Sequence, residues 1–408
     1  RLLGKIRSQK KVRDVEVVVI DSESTDGSVA IAESHGCRVI RIPQREFNHG
    51  ETRNLGAREA QGEYLVFTVQ DALPASDYWL YGMVSPFFAH PGLGGLSARQ
   101  FVRPEADLYS LWTGEEIGRM IGLEEDSFFT LSGSFDFSNW RHLDSLTKRR
   151  ITFFDNVSSC IPKGVFRDIR FHPLINAEDM DFGVRLLESG KSIGFLSSTG
   201  VFHWHERGSA YVLKRHYIGT KANLHIMKNP LPYFFESRGI GWQALAGNAA
   251  DLYDLVALAI PGPGTGDPHP LSASKAFLAS MRRYVEASPG KPPSGVAIQG
   301  VEEEGFRPML LELFGDDIPP PPERMDFRKN ILIPDFMNRI GGFMDFLFAR
   351  KDPLEGRERD FRSCILKILG ATVGEAAGTF YLEEETLGRL TDDLKRVDRM
   401  LAEGVCYY

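Results

Sequence analysis

VVVIDSESTDG (residues 17–27) and YLVFTVQDALP (residues 64–74) are apolar, β-branched runs that each end on an acidic residue, Asp21 and Asp71. Such runs read as strands buried on both faces. In an open α/β sheet, ligands gather beyond the carboxyl ends of the strands. Two later stretches bring more groups of that chemistry: AEDMD (residues 177–181) and FHWH (residues 202–205). Carboxylates at strand ends with a histidine further on suit a metal-bound phosphate ester. Transfer of a group from a nucleoside diphosphate is the chemistry to expect.

Around these stretches the chain alternates. Strands are expected at 15–20, 37–42 and 64–69, with helices at 28–35 and 51–61 closing on Gly36 and Gly62. Strand, helix, strand, helix, strand is the rhythm of a doubly wound α/β domain. Further strands are expected at 93–98, 153–162, 193–195 and 200–203, and helices at 179–190 and 211–228. Residues 105–150 mix aromatic and charged side chains and read as a mobile or substrate-shaped insertion. Breaker-rich stretches follow at 261–270, 288–295 and 319–322. Between and after them, 271–285 and 382–401 have helical periodicity. Two domains are therefore expected, 1–231 with α/β character and 232–408 mainly helical. The helical region carries no recognisable chemistry; dimerisation is its preferred role.

The bulk properties exclude several classes. Of 408 residues, 42% are hydrophobic and 25% charged, ordinary for a globular protein with a sizeable core. A net charge of −7 argues against a general nucleic-acid binder. Cys37, Cys160, Cys364 and Cys406 are scattered, without a CxxC pair, which fits neither a zinc ribbon nor a disulfide framework but does fit a reducing cytoplasm. No apolar run is long enough to span a bilayer, although peripheral contact with the inner membrane face stays open.

Each candidate group has a bland reading beside the chemical one. Asp21 can accept from a pyrimidine ring or ribose, or simply cap a turn. Asp71, beside Gln70, can hold Mg²⁺ or Mn²⁺, or form the turn before Pro74. Glu178 and Asp179 open a helix, where the dipole favours acids and lowers their pKa; one of them can also act as general base. His203 and His205 alternate and so share a face, one suited to the metal and the other to phosphate. Arg215 and Lys221 can neutralise phosphate or form a solvated face.

Taken in order, VIDSESTDG, FNHGETRNLGA, GEYLVFTVQDALP, ARQFVRPEAD, FDNVSSCIPKGVF, AEDMDFGVRLLESG, VFHWH and KRHYIGT resemble bacterial family 2 glycosyltransferases, and within them the rhamnosyltransferase-like branch. The resemblance covers residues 12–225. It implies a GT-A fold, a nucleotide-diphospho-sugar donor, a divalent cation (Mg²⁺ or Mn²⁺), inversion at the anomeric carbon, and a glycan or lipid-linked saccharide acceptor. By it, Asp21 and Ser22 belong to the nucleotide site, Arg53 and Asn54 to the donor pocket, and Gln70 and Asp71 to the metal motif. It makes Asp179, beside Glu178, the base. His203 joins the metal, while His205 and Arg215 face the diphosphate, and Arg99 and Gln100 lie near the sugar and acceptor.

Two departures qualify it. Val69 stands where the metal motif has its first Asp, leaving fewer carboxylates for the cation. The family's opening strand is not seen before residue 12 and is expected upstream of Arg1; without it Asp21 would follow an exposed edge strand. The donor expected from the branch is dTDP-rhamnose, with a UDP-hexose or UDP-N-acetylhexosamine as competitor. A non-catalytic glycan-assembly subunit and a nucleotide-sugar hydrolase are the readings from other classes.

Overall fold

The computed structural model describes residues 1–122, 128–260, 270–286, 327–350 and 357–405. Along the first half run α1 (Leu2–Arg7), β1 (Val18–Asp21), α2 (Ser28–Ser34), β2 (Arg38–Arg41), α3 (His49–Glu59), β3 (Tyr64–Thr68), β4 (Leu73–Pro74), α4 (Trp79–Val84), α5 (Pro86–Ala89) and β5 (Leu93–Phe101). Then come α6 (Leu108–Ile121), β6 (Phe128–Thr130), α7 (Ser145–Ile151), β7 (Ser158–Pro162), α8 (Lys163–Asp168), α9 (Glu178–Glu188), β8 (Ser192–Phe202) and α10 (Ser209–Ile226). The remainder is helical: α11 (Trp242–Ala259), α12 (Pro270–Glu286), α13 (Ile333–Ala349), α14 (Glu358–Thr386) and α15 (Asp392–Ala402).

The strand–helix rhythm is present, but the sheet is mixed and lies in two parts. β1 and β2 pair in parallel as a two-stranded unit. The larger sheet has the order β3-β7-β5-β8-β4, with β6 added on β8. Within it β3 runs antiparallel to β7, while β5 and β8 are parallel. Among the described residues β1 and β3 thus each pair along one edge, and both line the same large cavity. Asp21 does follow an edge strand.

The pair of strands expected at 193–195 and 200–203 is one strand, β8, with an irregularity. Its register against β5 jumps between Ala98↔Leu196 and Arg99↔Gly200, so that three residues bulge out. A Cβ on Gly200 would lie 1.8 Å from the Arg99 carbonyl oxygen, so glycine alone permits that approach. Among the described residues of 105–150, the segment read as an insertion holds α6, β6 and α7. The expected helix at 382–401 is two: α14 ends at Thr386, Gly388 adopts φ +69°, and Thr391 caps α15 by accepting from Leu394 N at 3.2 Å. Two of the breaker-rich stretches, 288–295 and 319–322, and nearly all of 261–270 lie outside the described residues.

The helical region shares a core with the first half. Leu108, Trp112, Leu213 and Tyr217 pack in one cluster with Phe336, Phe343, Phe361 and Ile365. Buried Lys367 donates at 3.2 Å to Asp107, which also caps α6. Buried Glu383 accepts from the backbone N–H groups of Phe234, Phe235 and Glu236. Tyr217 donates to Asp398 at 2.7 Å. α10 is therefore held from behind by the C-terminal helices while its other side meets the cavity.

Candidate active site

The cavity, of about 3060 Å³, runs along β1 and β3 and past the N-terminus of α9 to the α6–α10 wall. At its centre Asp71, just beyond β3, meets the two histidines beyond β8. His203 Nε2 lies 3.5 Å from one Asp71 oxygen and His205 Nε2 lies 3.6 Å from the other. The rings stand edge to face, 4.6 Å between centroids. One ligand atom from each of the three residues falls within 4.8 Å of the others, a spacing that fits one cation. Both imidazoles have lowered pKa values, first from burial, with Asp71 opposing. They stay neutral with lone pairs available at neutral pH, as metal ligation requires. His205, expected on the phosphate, joins the same trio.

The two acids of α9 differ sharply. The chain turns into the helix through Ala177 at φ +63°, which sets Glu178 and Asp179 in the first turn. Buried Glu178 pairs with Arg53 on α3, Nη1 to Oε1 2.6 Å, and accepts from Asn156 Nδ2 at 3.3 Å. Asp179 is half-buried and accepts from the Met180 N–H at 2.8 Å. Its pKa is pushed up to about 7, by burial first and then by the charges of Glu178 and Asp155. The helix dipole was expected to lower it; desolvation and two like charges outweigh half a charge at a helix end.

Other expected residues divide between the cavity and elsewhere. Asp21, Ser22, Gln70, Gln100 and Arg215 line it with Asp71, Arg53, Glu178, Asp179 and the histidines. Asp21 also accepts from Ser24 N at 3.2 Å. Asn54 does not line it. Its amide donates to the Phe171 carbonyl and accepts from the Phe171 N–H, at 2.9 and 3.1 Å, clamping α3 to the segment before α9. Arg99 does not line it either, because successive side chains of a strand point to opposite faces. Gln100 takes the inner face, and Arg99 lies over the Phe101 ring.

Several cavity residues carry no clear signal in the sequence. Asp155 accepts from Gln100 Nε2. Arg149 on α7 and Arg207 before α10 form no ion pair with a carboxylate among the described residues, and Arg215 is held by the Asn176 side chain. Asp155 stands in a stretch that carries the family resemblance, but a single acid before a strand says nothing on its own. Arg149 sits in a basic run that reads as a solvated helix end.

Residues 1–135 match the model of glycosyl transferase family 2. The match covers a third of the chain, and over it the chain is similar to that family. Among curated proteins, the O-antigen chain rhamnosyltransferase RfbN of Salmonella typhimurium is 23% identical over 201 residues, 48% of this chain and 59% of the relative. The O-antigen chain rhamnosyltransferase WbaN of Salmonella anatum is 25% identical over 193 residues, 47% of this chain and 56% of the relative. The chain thus spans less than two thirds of the length of either. Among solved structures, a mannosyltransferase from Pyrobaculum calidifontis, in complex with GDP-Man and Mn²⁺, is 18% identical with a TM-score of 0.41, over 70% of this chain and 71% of that one. S. aureus TarS 1–349 is 16% identical with a TM-score of 0.39, over 69% and 77%. Among the described residues, no helix is long and apolar enough to cross a membrane.

Proposed function

We propose that this chain moves a sugar from a nucleoside diphosphate donor to a hydroxyl of a glycan acceptor, with inversion at the anomeric carbon. The observation that carries the reading is the convergence, in one cavity, of the Asp71–His203–His205 trio with Asp179. One carboxylate and two imidazoles suit Mn²⁺ better than Mg²⁺, which prefers an all-oxygen shell. A divalent cation bound there supplies charge neutralisation for a departing diphosphate.

The protein's own groups supply the rest. Asp179, protonated more readily than an ordinary carboxylic acid, is the stronger base for the proton of an attacking hydroxyl. Glu178, tied to Arg53, positions rather than reacts. Asp21 and Ser22 face the base and ribose. Arg149, Arg207 and Arg215, outside any ion pair with a carboxylate among the described residues of an acidic chain, favour a substrate that carries phosphate. The names of the curated relatives favour rhamnose as the sugar, from dTDP-rhamnose, and a surface polysaccharide or its lipid-linked precursor as product. In this reading the helical region from residue 232 backs the acceptor side and offers a dimerisation surface.

Calorimetric titration with dTDP and UDP, each with and without Mn²⁺, tests it. Binding that needs Mn²⁺ and disappears in Asp71→Ala is expected, and the tighter nucleotide identifies the donor base. Binding of neither nucleotide under any condition overturns the catalytic reading.

A further inference from the structure

Behind the metal-fitting trio lies a hydrogen-bond relay. Asp155 is fixed on three sides. Its own N–H donates to buried Ser97 Oγ at 2.8 Å, its Oδ1 accepts from Val157 N at 2.9 Å, and its Oδ2 accepts from Gln100 Nε2. The other end of that Gln100 amide, Oε1, lies 2.7 Å from His203 Nδ1. An amide has one donor end and one acceptor end. With the donor end facing a carboxylate, the end facing His203 must accept, so Nδ1 carries the proton. Nε2 is then left bare, and it is the atom turned toward Asp71.

We propose that Gln100, oriented by Asp155, is a positioning residue that fixes His203 as the Nδ1–H tautomer and so holds its Nε2 lone pair ready for a cation. This deepens the metal-dependent function proposed for the cavity and rests on it. A neutral imidazole without such a partner samples both tautomers and rotates; the partner group behind a metal-binding histidine commonly sets affinity by 10–100-fold. The relay also moves Gln100 away from the role first expected of it, since both ends of its amide are engaged within the protein and neither is free for a sugar.

The geometry gives an isosteric test. In Asp155→Asn the oxygen of the new amide stays with the Val157 N–H, and its NH₂ turns to Gln100. The Gln100 amide must flip and offer its own NH₂ to His203, which then protonates at Nε2, the wrong nitrogen for a cation. Adding Gln100→Glu restores an acceptor for both neighbours. We expect ¹⁵N NMR of the full chain without metal to show His203 as Nδ1–H in the wild type, as Nε2–H in Asp155→Asn, and as Nδ1–H again in the double variant. We expect Mn²⁺ affinity, measured by calorimetry, to fall roughly 10–100-fold in the single variant and to recover in the double. Gln100→Met removes both hydrogen bonds without altering Asp155. Should Asp155→Asn not fold, mixed tautomers in Gln100→Met support the relay in its place. An unchanged His203 tautomer in Asp155→Asn or in Gln100→Met overturns the relay. Failure of the wild type to bind Mn²⁺, with the tautomers changing as expected, overturns the metal reading and leaves the relay standing.

Discussion

Arg53 Nη1 stands 2.6 Å from Glu178 Oε1, and this pairing separates two acids that adjoin in sequence. Glu178 is buried with a cation at its oxygen and an amide beside it. Asp179, one residue on, accepts from a backbone N–H and has two carboxylates close enough to raise its pKa. Two carboxyl groups whose environments push them apart are the usual sign of divided roles.

The first consequence concerns pH. Asp179 titrates near 7 in the folded protein, against an ordinary value of 3.8. The native state therefore holds a proton that the unfolded chain has lost, and stability falls as pH rises from about 4 to about 7. Above that window the penalty is constant. Asp179→Asn should remove it, leaving stability unchanged below pH 4 and raising it by on the order of 1–3 kcal/mol at pH 8. Urea melts of both proteins across this range check the sign. Turnover should behave in the opposite way, rising through pH 7 in the wild type and dropping by on the order of 10²–10⁴-fold in the variant. A variant as unstable at pH 8 as the wild type would show that the carboxyl is not desolvated in the folded protein.

Removing Arg53 should be costly for a different reason. Its side chain and that of Glu178 are 17% and 7% exposed, so Arg53→Ala leaves a buried carboxylate with no cation. Breaking such a pair costs about 3–5 kcal/mol. Arg53→Met with Glu178→Gln removes both charges and should recover most of the loss. Denaturant midpoints for the single and double variants decide it; equal midpoints would mean that the pair is solvated after all.

Much of the fold was legible because it rests on local pattern. The runs expected as strands at 15–20 and 64–69 hold β1 (Val18–Asp21) and β3 (Tyr64–Thr68), and the acids that end the runs, Asp21 and Asp71, line the cavity. His203 and His205 share a side, as their i, i+2 spacing required. What could not be read depends on partners distant in sequence. The raised pKa of Asp179 needs Asp155 and burial, neither visible from a helix N-terminus. Asn54 looked like a donor contact because its motif did, yet its amide faces Phe171, 117 residues away. Arg99 and Gln100 adjoin, so strand geometry alone required that one of them miss the cavity.

The same limit applies to the α10–α14 contact, where sequence shows only two glycines four residues apart. Gly374 and Gly378 lie on one face of α14, and a Cβ on them would meet the carbonyl oxygens of Leu213 and Tyr217 at 2.2 and 2.7 Å. The two helices touch backbone to backbone, so there is no flexible side chain to move aside. Gly374→Ala should force α10 away and destabilise the protein by about 1–3 kcal/mol. Gly341→Ala on α13 is the matched control, since a Cβ there meets nothing within 4 Å. In a helix interior that change should stabilise by about 0.5–1 kcal/mol. Thermal melts of the two variants should therefore shift in opposite directions. Because α10 carries Tyr211 and Arg215 on the cavity wall, Gly374→Ala should also weaken nucleoside diphosphate binding while leaving Mn²⁺ binding at the Asp71 trio intact. A Gly374→Ala protein as stable as the wild type would mean that α10 and α14 are not in backbone contact in solution.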